Sequence, residues 1–310
     1  MRTRRFGKTG RDVSDIGFGA APIGLLETEQ RQVANILDAL LAEGVDLIDT
    51  AAGYRGSEEA IGKAVGHRRD EFTLVTKCGT SGAAADDEAW TPAAIAESVD
   101  RSLRRLRTDV LDVVLLHSCP IEVLERGDSL QALVAARDAG KIRFAGFSGD
   151  NQTARYAATL PDVAVIETSV NICDQANIDA VLPAARKHDV GVIAKRPIAN
   201  AAWKGRSRQP GFYADYADPY AARLERMRVT PADLGFDADP DEAWPEIAIR
   251  FVLSFPDVHT AIIGTTNAAH AKKNLAAAAK GPLPPNAVER LRAAFRQAEA
   301  DAGETWKGLT

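Results

Sequence analysis

Eight times along this chain a short apolar run of strand character is followed by a segment of helical period. The strand-like runs lie at residues 16–20, 46–49, 72–76, 111–116, 142–147, 163–166, 191–194 and 259–263. Between and after them, helical spacing of apolar positions marks residues 28 or 29 to 42, 57–65, 91–106, 130–138, 153–159, 178–188, 245–255, 267–280 and 286–300. In the first of these, Val33, Ile36, Leu37, Leu40 and Leu41 share one face. Continuous rather than alternating apolar strands are buried on both sides, and strand–helix repetition favours parallel pairing. The pattern predicts a closed (β/α)8 TIM barrel, built from residues 1–310 as a single domain. A hairpin turning at Gly7-Lys8-Thr9-Gly10 precedes it. From Arg196 to about Pro240 the periodicity fails, which predicts a long loop or lid over one end.

In such barrels the chemistry gathers where the strands end. That rule makes one set of residues informative: Asp49, Lys77, His117, Ser148, Glu167, Lys195 and Gly264 ring a common mouth. Tyr54 follows Asp49 in the loop Asp49-Thr50-Ala51-Ala52-Gly53-Tyr54, before Gly56-Ser57-Glu58-Glu59, where Ser57 reads as a helix N-cap with acids in the first turn. An ammonium near a phenol favours the phenolate and lowers its pKa. Asp49, Tyr54, Lys77 and His117 are therefore the candidate catalytic set: Lys77 tunes the tyrosine, Asp49 holds Lys77, and His117 polarises a carbonyl oxygen. No side chain supplies a hydride, so a redox reading requires a bound nicotinamide or flavin. Gly264-Thr265-Thr266-Asn267 at a helix start offers N–H groups and hydroxyls to its phosphates, with His270, Lys272 and Lys273 behind.

Composition narrows the partners. A net charge of −5 and a pI near 5.7 argue against nucleic acid, which selects concentrated positive charge. The most basic run, Arg101 to Arg107, reads as a solvated helix face. Cys78, Cys119 and Cys173 lack metal-ligand spacing and read as reduced, partly buried thiols. No apolar run approaches a membrane span and no signal segment is visible, so the chain reads as cytoplasmic, acting on a small molecule. His67, His188 and His259 fall away from the mouth and read as structural. Trp90, Trp203, Phe212, Tyr213 and Tyr216 fall in loops over it, either lining a pocket or packing the lid.

Taken together, Asp49 to Tyr54 with Gly56-Ser57-Glu58, Thr76-Lys77, Ser102-Leu103-Arg104-Arg105-Leu106 through Asp109 and Asp112 to Leu116-His117, Gly146-Phe147-Ser148, and Gly264-Thr265-Thr266 to Asn274 resemble the aldo-keto reductases over nearly the whole chain. The resemblance implies a (β/α)8 barrel, no metal, and carbonyl reduction, or oxidation of the corresponding alcohol or sugar, with NADP or else NAD. Tyr54 is then the proton donor. The implied cofactor contacts are Gly19, Ala20, Asp49, Ser148, Gly149, Glu167, Lys195, Arg196, Pro197, Gly264, Thr265, Thr266, His270, Lys273 and Asn274. The chain departs from the family pattern at four places. Gly149-Asp150 replaces an asparagine after Ser148, and Glu167 replaces a glutamine. Lys195-Arg196-Pro197 replaces the ring-stacking aromatic, and His270 stands for the arginine of the adenosine 2′-phosphate. Two other readings stay open on the residues alone: a Schiff-base lyase or aldolase using Lys77 or Lys195, and a nucleotide-sensing protein of negligible turnover.

Overall fold

The computed structural model describes residues 1–79, 87–205, 208 and 212–309, with the side chains of 87, 212–214 and 216 outside the description. Strands β1 (Thr3–Arg5) and β2 (Asp12–Ser14) form an antiparallel hairpin. Strands β3 (Ile16–Gly19), β4 (Leu47–Asp49), β5 (Thr73–Cys78), β6 (Leu111–His117), β7 (Ile142–Ser148), β8 (Val163–Ser169), β9 (Gly191–Lys195) and β10 (Thr260–Ile263) are all parallel. They close in chain order, with β10 against β3.

Side chains alternate along a strand, so every second residue enters the barrel. Leu47, Val75, Val113, Leu115, Val165, Ile193 and Ile262 pack together inside it. Phe6 and Val13 of the hairpin belong to the same cluster and plug the N-terminal end. A second, larger cluster fills the space between strands and helices. Two residues beyond Leu47, Val75, Leu115, Val165 and Ile193 stand Asp49, Lys77, His117, Glu167 and Lys195. The parity that keeps the lower layers apolar thus aims five titratable groups into the mouth. His259 serves the opposite end: its Nδ1 accepts from the Val192 N–H at 2.8 Å and its ring meets Phe6 edge-on.

Helix positions differ from the periodicity reading where proline or buried polar groups intervene. The segment after Arg196 is not one long loop. It carries a short 3-10 stretch, Ala199–Lys204, and an α-helix, Phe212–Met227, that holds Pro219 in its interior. The helix expected from residue 245 starts earlier, at Pro240–Leu253, where the Asp239 side chain caps the Asp241 N–H at 2.9 Å. Residues 178–188 split into Ala176–Ala180 and Leu182–Lys187, because Pro183 has no N–H to continue the first helix. Thr91 caps the helix Pro92–Leu106 as expected. That helix's arginine run is not wholly solvated, since Arg105 Nε reaches Glu59 at 2.9 Å.

The loop bearing Tyr54 is tied down by groups that the capping rule misassigns. Gly56, in the left-handed region with φ 72°, occupies the N-cap position of Ser57–Val65, and Ser57 is inside the helix and fully buried. The Ser57 hydroxyl donates to Ala20 O at 3.1 Å and lies 2.9 Å from the Thr50 hydroxyl. Glu58, 1% exposed, accepts from the Thr76 hydroxyl at 2.7 Å and faces Arg105 at 3.4 Å. Gly24, in the short helix Ala21–Leu25, presses on the same loop: a Cβ there would stand 2.4 Å from Arg55 O. Gly24→Ala should lower stability by about 1–3 kcal/mol, the overpacking range. Glu58→Ala should remove about 2 kcal/mol, from a buried charge-assisted hydrogen bond. Urea denaturation measures both, and hydrogen exchange should quicken at residues 51–56 in each variant.

Candidate active site

Lys77 lies at the centre of the cluster, its side chain fully removed from solvent. Its ammonium donates to Asp49 Oδ1 at 2.6 Å, Asp49 Oδ2 at 2.7 Å and Thr50 O at 3.0 Å. Both oxygens of one carboxylate lie too close together to take separate N–H bonds, so Asp49 shares one hydrogen and Thr50 takes another. A second carboxylate oxygen, Glu167 Oε2, stands 3.0 Å from the same nitrogen and pairs with it. Burial pushes the Asp49 carboxyl up, and the charge of Glu167 adds to this against the pull of Lys77. Burial also opposes ionisation of Glu167, but Lys77 and Lys195 together hold it below its ordinary range. Burial works against the Lys77 charge as well, and the two acids outweigh it, so the ammonium is strongly retained.

Tyr54 hangs over this group, with the Lys77 nitrogen 5.4 Å from its ring centroid. The His117 ring meets the tyrosine edge-on, centroids 6.0 Å apart at 86°. Burial pushes the Tyr54 hydroxyl up to about 12. Lys77 pulls it down, but Asp49 and Glu167 push it back. Burial thus outweighs the lowering expected from a neighbouring lysine, and the two carboxylates add to it. Burial, and then Lys77, drive His117 down to about 3. Its imidazole is neutral at physiological pH, with one nitrogen to donate and one to accept.

The expected cofactor residues form two groups. Ser148 and Glu167 are paired across β7 and β8 beside the quartet, and the Gly149 N–H donates to Glu167 O at 2.9 Å. Asp150 turns inward. It accepts from Ser169 N at 2.7 Å, the Thr168 hydroxyl at 2.8 Å and Asn177 Nδ2 at 2.9 Å, and it pairs with Lys195 at 3.1 Å. Arg196 follows in the left-handed region at φ 55°, with Pro197 buried behind it. Gly19 and Ala20 close β3, where the Ala20 N–H donates to Asp49 O at 2.8 Å.

The second group, residues 264–274, follows β10 along the rim. Gly264, Thr265, Thr266 and Asn274 are half-buried, whereas His270, Lys272 and Lys273 are exposed. Asn267 caps its own helix, accepting from Ala269 N at 2.8 Å and His270 N at 3.3 Å. Those two N–H groups are taken up within the loop, and so is the Thr265 hydroxyl, which accepts from Asn267 N at 3.1 Å.

Sequence periodicity missed the last turn of the chain. Residues 306–309 fold back across the mouth: Gly308 exchanges hydrogen bonds with Asn151 at 2.6 and 2.9 Å, and Leu309 N donates to Asp174 at 3.0 Å. Leu309 O accepts from Arg196 and, at 3.4 Å, from Ser169. Tyr220 of the helix Phe212–Met227 donates to the same Asp174 at 3.2 Å, so lid helix and tail share one buried acid. Burial pushes that acid up to about 7. Of the aromatics expected near the mouth, Trp90 is buried against Gly79 and Trp203 stacks on Trp244 at 6.2 Å. The side chains of Phe212, Tyr213 and Tyr216 lie outside the described residues. Cys78, Cys119 and Cys173 are buried free thiols. Among the described residues no helix is long and apolar enough to cross a membrane, and no three His, Cys, Asp or Glu side chains are grouped to hold a metal.

The profile of the Aldo/keto reductase family matches residues 15–296. An oxidoreductase of Bacillus subtilis, YqkF, is 27% identical over 96% of this chain and 97% of its own. The NADH-specific methylglyoxal reductase of Escherichia coli is 26% identical, over 84% of this chain and 86% of that protein. Among solved structures, an aldo-keto reductase of Bacillus halodurans in its holo form superposes with a TM-score of 0.77 at 26% identity, covering 95% and 96% of the two chains. A family match across nearly the whole barrel, on a chain whose strand ends carry an acid, a lysine and a histidine around one tyrosine, places this protein in the aldo/keto reductase family, as an NAD(P)-dependent oxidoreductase of carbonyl compounds.

Proposed function

We propose that the protein reduces an aldehyde or ketone with Tyr54 as the general acid, and runs the reverse alcohol oxidation with the same group as base. The observation that carries this is the buried Lys77 ammonium, fixed by Asp49 and set 5.4 Å from the Tyr54 ring with His117 edge-on beside it. The donor and acceptor set also suits a nicotinamide dinucleotide. Glu167 Oε2 is a buried acceptor with a lone pair beyond its Lys77 pairing, of the kind a carboxamide N–H satisfies. Ser148 adds a hydroxyl beside it, and Arg196 adds a flat guanidinium. Gly19, Ala20, Gly149, Lys195 and Pro197 bound the ring site. Gly264, Thr265, Thr266, Lys273 and Asn274 receive the phosphates, with His270 at the 2′-phosphate of NADP, the favoured cofactor over NAD.

The bound nicotinamide supplies the hydride that adds to the carbonyl carbon. The chain supplies the rest. His117, neutral and protonated on one nitrogen, donates to the carbonyl oxygen and orients it. The Tyr54 hydroxyl then gives that oxygen its proton as charge develops, and the resulting phenolate is stabilised by Lys77. Asp49 keeps Lys77 charged and pointed. The same ion pairs speak against a Schiff-base reaction, because an attacking amine must be deprotonated. Lys77 is held by Asp49 and Glu167, and Lys195 by Asp150.

Tyr54→Phe should lower kcat by about 10²–10⁴, the range for one general acid, and leave nucleotide Kd within about twofold. Stopped-flow turnover with a panel of aldehydes, beside fluorescence titration of the nucleotide, measures both; turnover equal to the parent's would remove Tyr54 from this role. His270→Arg should raise the preference for NADP over NAD about tenfold, as a bidentate guanidinium–phosphate contact replaces an imidazole. An unchanged ratio of kcat/KM values would place 2′-phosphate recognition elsewhere. Borohydride added with an aldehyde substrate should leave no adduct on Lys77 or Lys195 by mass spectrometry.

A further inference from the structure

Glu167 has a structural relation that its place beside the cofactor does not explain. It ends β8, is 2% exposed, and sits opposite Ser148 in register. Its Oε2 reaches Lys77 Nζ at 3.0 Å, beside the bonds that nitrogen makes to Asp49 and Thr50. A carboxylate in that position is a second acid on a nitrogen already paired with Asp49. It adds negative charge, in a place where water does not screen it. We propose that Glu167 is a positioning residue for proton transfer: as a second carboxylate on Lys77 it offsets the ammonium's pull on the phenol, keeps Tyr54 in its protonated form, and biases the site toward giving a proton to a carbonyl over taking one from an alcohol.

The charges that face Tyr54 from every neighbouring strand end bear this out. Lys77 from β5 and Arg196 after β9 favour the phenolate, while Asp49 from β4 and Glu167 from β8 oppose it. His117 from β6 is neutral. Asp49 is committed to Lys77 through both oxygens, so the two behave as one bonded pair. Glu167 is the charge left over, and a neutral residue of the same shape at this position would leave Lys77 one partner and a stronger hold on the phenolate. The groups facing Glu167 itself are Lys77, Lys195 and Asp49. Of these Lys195 is engaged by Asp150 at 3.1 Å.

This inference rests on Tyr54 being the proton donor, and its test separates the two. Glu167→Gln keeps size and removes charge. The pH at which carbonyl reduction falls off, and the pH at which alcohol oxidation rises, should both move down by about one unit, the scale of one unscreened charge a few ångströms away. Glu167→Ala should shift the profile in the same direction, whereas a packing role would lower melting temperature in the alanine variant and leave both profiles in place. In the parent protein, phenolate absorbance recorded as a difference against Tyr54→Phe should titrate above the ordinary tyrosine value of about 10. This measurement does not depend on any Glu167 variant folding. A profile unmoved or moved upward in Glu167→Gln, or a Tyr54 that titrates at or below the ordinary value, overturns the proposal. If Tyr54→Phe is inactive and only these shifts are missing, the proton donor stands and the role of Glu167 falls. Full turnover in Tyr54→Phe overturns both.

Discussion

A lysine side chain entirely out of water is an expensive object. Moving an ammonium from water to a protein interior costs several kcal/mol even after the surroundings relax. Lys77 tolerates that position because the barrel brings three oxygens within hydrogen-bond range of it, two from Asp49 and one from the backbone at Thr50. None of those oxygens is near Lys77 in sequence. They arrive only when β4 and β5 pair in the register that sets Asp49 opposite Val75 and Leu47 opposite Thr73. A slip of either strand by one residue would turn its own side chain to the other face of the sheet and part the acid from the ammonium. The geometry of the candidate site and the folding register are thus one constraint, and the apolar layer below, Leu47, Val75 and Leu115, enforces it from the interior.

That coupling explains what the amino-acid sequence makes legible. Eight apolar runs and their ends suffice to place Asp49, Lys77, His117, Ser148, Glu167 and Lys195 around one mouth, since strand parity needs no knowledge of the helices. The hairpin was readable from its Gly7 to Gly10 turn, though not its place at the barrel's end, and His259 from its distance to the mouth. In each case a short-range rule and the closed barrel demand the same thing.

The rest was not legible, for identifiable reasons. Ser57 and Glu58 carry the pattern of a cap with a first-turn acid, yet both are buried and reach other elements, Ala20 and Thr50 for one, Thr76 and Arg105 for the other. Local patterns do not report long-range partners. The helix Phe212–Met227 holds a proline in its interior and follows residues rich in glycine and proline, so local propensity argued against it. Residues 306–309 are held by exchanged backbone and side-chain hydrogen bonds with Asn151 and Asp174, an arrangement without any periodicity. The balance on the Tyr54 hydroxyl is not legible for a different reason. Spacing sets one ammonium beside one phenol, whereas burial and the second carboxylate act only once β8 stands beside the pair.

The mouth holds two lysines and three buried acids, and their partition decides what chemistry it can host. Asp150, gripped by Ser169, Thr168 and Asn177, fixes Lys195 at its edge. Asp49 and Glu167 fix Lys77 at its floor. Every ammonium has a carboxylate, so neither nitrogen is available as a nucleophile, and a carbonyl entering here meets hydrogen-bond donors. Among the groups there, Tyr54 has a cation beneath its ring, the Lys77 nitrogen 5.4 Å from the centroid. Ion pairing on this scale would be wasteful if its purpose were stability, since buried pairs rarely exceed apolar packing in that respect. Its consistent effect is to hold a cation and its counter-charges beside the Tyr54 phenol.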